Sequence, residues 1–536
     1  MNAASSFQPN QHGWEKNRLM TMRSLNSLRF IIAFAFLFIA CCPVSAQDPE
    51  PAKIPAGLSV ARIFADHMVL QREKPVKIRG WAEQGEKVIV SFAGQTKAAT
   101  AGDDRSWQVQ LDPLAASFEG RDLTVAGRSR SLTIKDVLVG EVWLCGGQSN
   151  MSFPLWIRSD GFDKSEVDKF PFIRAISTLH GDGADPPYDV KKTAAGETWL
   201  LWAQKEPQPT LPFAREWMVF GPDCLTLHGQ PFSAVGFYYA KKLYEQLKVP
   251  VGIVDTSVGG TLAHYWASVE ELRKLPEMAP IFEKPSPPWY PGCLYHTTIL
   301  PIREFAMRGA LFYLGENNSQ NAENTAVFES PYRAIINTWR RTFGQPNMPF
   351  CIIQTASCGD RQQVYAPGLH NLVQEAQLRI HLTTPHTGFI VTADDLHSDL
   401  HVMRKQSIAE RAIRWAMAEV YADALPDKTR RPTWRGPIFR NAETKGGRLV
   451  LHFETMADEP LKLTGTPVGF VVASEDRKFQ EAQAELVGKT SVAVWSDKVP
   501  KPQAARFGWA GRPYLNLRTE SGLPASPFRT DNWPVK

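Results

Sequence analysis

The run Cys145-Gly146-Gly147-Gln148-Ser149-Asn150-Met151 sets a serine among glycines and small polar residues, directly after the apolar stretch Val137 to Leu144. A hydroxyl there meets little steric cover, which is what a nucleophile attacking an acyl carbon requires. Alone the signal is weak, because serines in glycine-rich turns are mostly turn formers. The absence of G-x-S-x-G excludes the nucleophile elbow of α/β-hydrolases. A second component, Asp399-Leu400-His401, lies far downstream. In an extended segment, residues two apart share a side, so the carboxylate can hold one imidazole nitrogen while the other faces a serine. The same pattern stands just upstream as Asp395-Leu396-His397, and spacing does not choose between the two. The commoner role of any one such pair is that of an ordinary surface ion pair. Gly259 and Gly260 can bring backbone N–H groups to an oxyanion, and the Asn318 amide can donate without titrating.

These residues share a context. Ser149, the Gly259-Gly260 pair, Asn318 and the Asp-x-His segments each follow a candidate strand: Val137 to Leu144, Val251 to Asp255, Ala310 to Leu314 and Gly388 to Ala393, with Phe350 to Gln354 a fifth. In open parallel sheets, ligands bind at the carboxyl ends of the strands. Helical stripes lie between and after them, over Ser233 to Leu247 and through Ile408, Ala412, Trp415, Ala416 and Val420. Strands alternating with helices predict an α/β domain over about 137–425, with a parallel sheet covered on both faces. Short β-type runs with turn signals (Val76 to Ile78, Val88 to Phe92, Trp107 to Leu111, Leu123 to Val125, Leu132 to Ile134) predict an N-terminal β domain over about 58–136. From about 430 to 536 the chain returns to strands, such as Arg448 to Phe453 and Ser491 to Val494.

The 536 residues, 43% hydrophobic and 21% charged, exclude a small binding module and a disordered chain. The net charge is +5; Lys16, Arg18, Arg23 and Arg29 against Glu15 put +3 of it in the first 46 residues, leaving only +2. That is too little to argue for a nucleic-acid partner or an anionic membrane. Residues 1–46 read as a secretory signal peptide: Arg23 and Arg29 precede the 13-residue apolar run Phe30 to Cys42, and Val44-Ser45-Ala46 supplies a cleavage site. The run is short of the ~20 residues that span a bilayer, so no stable membrane insertion is expected. A lipoprotein anchor at Cys41 is disfavoured by Phe38, and residues 47–57 form a Pro-rich linker. The expected location is therefore periplasmic or extracellular. Five cysteines remain after cleavage (Cys145, Cys224, Cys293, Cys351, Cys358), for which one or two disulfides and at least one free thiol are expected. His381, His386, His397 and His401 lack H-E-x-x-H or comparable carboxylate spacing, so no metal is assigned.

The run Gly140-Glu141-Val142-Trp143 through Gly147-Gln148-Ser149-Asn150-Met151 resembles the first block of the sialate O-acetylesterase family, within the SGNH (GDSL-like) hydrolases. The same order continues in Val258-Gly259-Gly260-Thr261 with Trp266, Tyr313 with Gly315-Glu316 and Asn318, Trp339-Arg340 with Pro349-Phe350, and Asp399-Leu400-His401 with Lys405 and Arg411. Phe64 to Arg72 and Arg506-Phe507-Gly508-Trp509 also resemble it, so the likeness covers nearly all of the mature chain.

That resemblance implies an SGNH-type three-layer α/β/α sandwich with β regions on either side. It implies Ser149 as nucleophile, His401 as general base and acid, and Asp399 as its orienting partner. The resemblance, whose pattern downstream of the histidine is matched by Lys405 and Arg411, selects His401 over His397. Ser149, Gly260 and Asn318 form the implied oxyanion hole, and Gln148, Glu316 and Trp266 are substrate-binding candidates. Trp156, Trp289 and Tyr290 could also stack on sugar faces, although core or loop packing is their commoner role. The implied reaction is O-acetyl ester hydrolysis on a carbohydrate, without metal or organic cofactor. Acetylated plant or algal polysaccharide, including acetylxylan, is as compatible as sialic acid. Two departures stand out: Phe312 and Leu314 replace the family's Trp and Gln, and Val402 replaces the Pro after the histidine. Leu314 removes a polar group near the presumed pocket, and Val402 is expected to loosen the histidine loop. Both favour a rival reading, a non-catalytic carbohydrate-binding relative, against which the full Ser-Asp-His set argues.

Overall fold

A computed structural model describes residues 57–155, 162–178, 217–225, 233–283, 290–357, 368–394, 400–512 and 514–535. The expected leader, nearly all of the linker, and Trp156, Trp289, Cys358, His397 and Asp399 lie outside the described residues.

Six strands build the central parallel sheet: β1 (Ser131–Gly147), β2 (Ile173–Ser177), β3 (Val251–Asp255), β4 (Gly309–Tyr313), β5 (Phe350–Ile353) and β6 (Thr387–Ile390). Their order across the sheet is β2-β3-β1-β4-β5-β6, with Met218–Val219 antiparallel at the β2 edge. Strand β1 is flanked by β3 on one side and β4 on the other, with Cys145 beside Asp255 and also beside Leu311. The chain therefore crosses over β1 between β3 and β4, and the crevice at its carboxyl end is a topological switch point.

Strand alternation makes two cores. Trp143, Cys145, Leu311 and Tyr313 point to one face, where α2 (Ala234–Leu247) and α5 (Lys405–Glu419) pack through Tyr239, Leu243, Ala412 and Trp415. Val142, Leu144, Ala310 and Phe312 point to the other, under α3 (Glu329–Thr342) and α4 (Leu369–Thr383), with Ile335, Trp339, Val373 and Ile380. Between β1 and β2 runs the short helix α1 (Ser149–Ser152). The α/β/α sandwich is thus the SGNH-type architecture anticipated. Helices α3 and α4 and strand β2 were not anticipated, although Tyr332, Ile335, Ile336 and Trp339 carry a helical stripe that could have shown α3.

The N-terminal β region (Val76–Trp81, Lys87–Phe92, Gln95–Thr100, Ser106–Leu111, Ser117–Ala126) has no break from the sandwich. Strand β1 pairs antiparallel with Ser117–Ala126 through its first half and parallel with β3 and β4 through its second. A border at 136/137 thus falls inside a single strand, because the strand is 17 residues long and serves both sheets in turn. The joint is reinforced at Glu141, which is fully buried and accepts from Arg72 Nε (2.6 Å), Arg308 Nε (2.8 Å) and Tyr421 OH (2.8 Å). Burial pushes this carboxyl up, but the Arg308 and Arg72 guanidinium groups override it and hold it below the usual range.

The C-terminal region folds into two four-stranded sheets and one two-stranded sheet around Phe439, Phe453, Phe507 and Phe528. It is fastened to the sandwich at α4 and β5: Arg529 pairs with both Glu375 oxygens at 3.0 Å, His370 Nε2 lies 3.0 Å from the Ala510 carbonyl, and Gln354 Nε2 donates to Ser526 Oγ at 3.1 Å. Cys145, Cys224, Cys293 and Cys351 are buried free thiols, so the expected disulfides do not form among them. Burial raises all four thiols above their ordinary pKa, as suits inert core residues. No helix among the described residues is long and apolar enough to cross a membrane.

Candidate active site

Ser149 stands at the carboxyl end of β1, and local backbone chemistry puts it there. Gly147 adopts φ +121°, and a Cβ on it would lie 2.0 Å from the Tyr313 carbonyl oxygen. Only glycine lets β1 approach β4 so closely while turning out of the sheet. Gln148 then caps α1 in extended conformation, its N–H donating to Tyr313 O at 2.9 Å. Ser149 opens the helix half-buried, with its hydroxyl in reach.

The histidine arrives from the other end of the chain. His401 Nε2 lies 2.9 Å from Ser149 Oγ, with a ring edge-on to Phe153 at 4.6 Å between centroids. An imidazole hydrogen-bonded to a serine hydroxyl can take its proton as the oxygen attacks an acyl carbon, and return one to the leaving group. His401, the histidine the resemblance implies, is the one in this contact.

What holds the two together is a buried polar knot that sequence reasoning did not assign. Asn150 is fully buried and uses both ends of its amide: Nδ2 donates to Glu316 Oε1 (2.6 Å) and Leu400 O (3.2 Å). Its Oδ1 accepts from Val402 N–H (3.1 Å) and from Lys405 Nζ (2.7 Å), which also donates to Asn150 O at 2.8 Å. The ammonium of the fully buried Lys405 lies 5.5 Å from the Tyr313 ring centroid. Burial raises the Glu316 carboxyl above its usual pKa, against the opposing pull of its backbone N–H, Asn150, Lys405 and His401.

The glycine loop borders the serine through Gly259: a Cβ on Gly259 would sit 3.7 Å from Ser149 Cβ. Gly260 turns at φ +72°, its carbonyl accepting from Asn317 Nδ2 at 2.7 Å. Among the described residues, no group accepts from the N–H of Ser149, Gly259 or Gly260. Asn318 is buried, with Oδ1 accepting from Ala263 N–H at 3.1 Å and Nδ2 at 3.5 Å from Asn324 O.

The three substrate-binding candidates are all buried. Trp266 is fully buried, packed against Phe312 (5.7 Å) and donating from Nε1 to Thr261 Oγ1 (3.2 Å), so it supports the glycine loop from beneath and offers no face to a sugar. Gln148 is 2% exposed, and its Oε1 faces Asn317 N–H at 3.5 Å. Glu316, also 2% exposed, belongs to the Asn150 knot.

The two departures have structural roles of their own. Leu314 lies in the apolar core, with its carbonyl accepting from Gln377 Nε2 at 2.8 Å, so it faces no pocket. Val402 supplies an N–H that proline lacks, and spends it on Asn150. The residue after His401 is thereby tied to the one beside Ser149.

A parallel sandwich whose first strand ends in a serine hydrogen-bonded to an imidazole from a late loop defines an SGNH-type hydrolase. Residues 139–422 match the family described as carbohydrate esterase, sialic acid-specific acetylesterase, and the chain belongs to that family. It is a carboxylic ester hydrolase. Sialate O-acetylesterase of Homo sapiens is 25% identical over 521 residues, covering 88% of this chain and 92% of the relative. The same enzyme of Rattus norvegicus is 26% identical over 543 residues, with 88% and 94% covered. The crystal structure of a carbohydrate acetylesterase from Xanthomonas citri superposes with a TM-score of 0.72 at 29% identity, covering 89% of this chain and 100% of that one.

Proposed function

We propose that this esterase removes O-acetyl groups from carbohydrates through an acetyl-serine intermediate. The observation that carries the reading is the 2.9 Å contact of His401 Nε2 with Ser149 Oγ at the sheet's switch point. Ser149 Oγ attacks the acetyl carbonyl as its proton passes to His401. The carbonyl oxygen, now an anion, is held by the N–H groups of Ser149 and Gly260 and the Asn318 amide. Collapse expels the sugar oxygen, which takes the proton from His401. Water, giving a proton to His401, then attacks the acetyl carbon, and acetate leaves as Ser149 Oγ recovers that proton. Asp399 orients the imidazole in this scheme. The names of the relatives support a sialic acid ester, and acetylated polysaccharide shares the same chemistry.

The test is acetate release from an acetylated-glycan panel by the wild type beside Ser149→Ala, with intact-mass detection of an acetyl adduct after rapid quenching. Activity and adduct both lost in the variant support the serine mechanism; acetate release that survives Ser149→Ala refutes it. We also propose export, on the strength of the leader-like residues 1–46; N-terminal sequencing of the protein outside the cytoplasm checks cleavage after Ala46.

A further inference from the structure

His401 comes from the chain between β6 and α5, and two different parts of the molecule grip what flanks it. On one side stands the Asn150 knot. On the other stands Asp394, 5% exposed on its side chain and enclosed by two guanidinium groups. Arg411, on α5, makes a two-pronged pair with it: Nη1 to Oδ1 at 2.7 Å and Nη2 to Oδ2 at 2.8 Å. The second guanidinium belongs to the C-terminal β region. Arg518, on the strand Leu517–Thr519, places Nη2 2.9 Å from Asp394 Oδ2. That strand pairs with Leu461–Leu463, and Arg518 Nη1 donates to Gly522 O at 3.1 Å, so the guanidinium is fixed from its own side.

The consequence follows from connectivity. Arg411 lies on the same helix as Lys405, whose ammonium holds Asn150 beside Ser149. A displacement of Asp394 and Arg411 is passed along α5 to Lys405, which holds Asn150 and, through it, Leu400 O and Val402 N–H on either side of His401. Burial raises the Asp394 carboxyl, but Arg411 and then Arg518 override that and keep it charged, which keeps the clamp engaged.

We propose that Arg518 is a positioning residue for the esterase reaction, through which the C-terminal β region sets the place of α5 and His401 relative to Ser149. This rests on the reading that Ser149 and His401 perform the chemistry. Removing Arg518 leaves Asp394 paired with Arg411, so the loss is one of placement and not of charge balance.

The experiment uses the full chain and 4-nitrophenyl acetate, with active sites counted by a fluorophosphonate label. Arg518→Ala is expected to lower kcat about 10-fold with KM within about twofold, since small misplacements of reacting groups are costly in rate. Arg518→Lys should recover part of the loss. In an Asp394→Asn background, Arg518→Ala should have little further effect, because the two act through one contact. An unchanged kcat per labelled site in Arg518→Ala overturns the proposal, as does an equal loss in both backgrounds. If Arg518→Ala fails to fold, Arg518→Met takes its place, and an unchanged kcat per labelled site in that variant overturns the proposal equally. Activity that survives Ser149→Ala would instead refute the serine reading on which the proposal stands.

Discussion

Asn150 and Lys405 are 255 residues apart in sequence and joined by two hydrogen bonds, from Nζ to the main-chain oxygen at 2.8 Å and to Oδ1 at 2.7 Å. Asn150 follows the serine directly and Lys405 opens the helix after the histidine, so this one contact ties together the segments that carry the two reacting side chains. Lys405→Met keeps the length of the chain and removes the donors. It should remove the Lys405 donor from the Asn150 main-chain oxygen, leave Oδ1 with Val402 N–H, and take away a cation close to Glu316. Stability is expected to fall by about 2–5 kcal/mol, and kcat by one to two orders of magnitude as His401 loses its fixed place. Urea denaturation and acetate release per labelled active site measure the two effects.

The Val402 N–H bond to Asn150 Oδ1 makes a prediction against family habit. Val402→Pro deletes that donor while Lys405 still satisfies the oxygen, so the cost should be about 1 kcal/mol. Activity should fall severalfold and not rise. A Val402→Pro variant faster than the wild type would show that the hydrogen bond contributes nothing to the placement of His401.

Leu314 is fully buried in the apolar core. Leu314→Gln therefore inserts an amide among hydrocarbon, and a loss of about 1–3 kcal/mol is expected from desolvation. The ratio of kcat/KM between two acetylated sugars should not move, because the side chain faces no substrate. Thermal unfolding together with a two-substrate comparison checks both halves.

Asp255, at the end of β3, is buried, and among the described residues its hydrogen-bond donors are Ser257 N–H (2.8 Å) and Oγ (2.5 Å). Burial outweighs these bonds and pushes its pKa from 3.8 up to about 7. Between those values the folded chain holds a proton that the unfolded chain has released, so stability falls as pH rises through that window. Asp255→Asn retains the acceptor and removes the titration. The variant should match the wild type near pH 4 and exceed it at pH 8, by at most about 4 kcal/mol. Melting temperatures of both proteins across that range give the answer, and parallel curves would refute it.

Much of this protein is written in short-range pattern. The apolar runs at Val137 to Leu144 and Val251 to Asp255 could be read because strands buried on both faces are continuously hydrophobic. Helix α2 could be read because its stripe follows an N-capping Ser233, which accepts from Gly236 N–H at 3.1 Å. Ser149 and His401 were named from residue type, from their position after strands, and from family resemblance. That resemblance, and not spacing, separated His401 from His397.

Tertiary structure decided what burial decides. Trp266, Gln148, Glu316 and Leu314 have the types and positions of pocket residues, yet each is enclosed, because the side of a turn that faces a cavity depends on how distant elements pack over it. The Asn150–Lys405 and Asp394–Arg518 contacts join residues more than 100 positions apart through one or two polar bonds. No local period or spacing encodes such a bond. It exists only once two separately determined surfaces have been brought to within 3 Å and a buried polar atom must find a partner. The sequence by itself determined which groups could do ester chemistry and which strands would present them, since residue type and hydrophobic alternation are local properties. Only the folded chain decided which polar side chains hold those groups in place, since that follows from the long-range geometry of close packing.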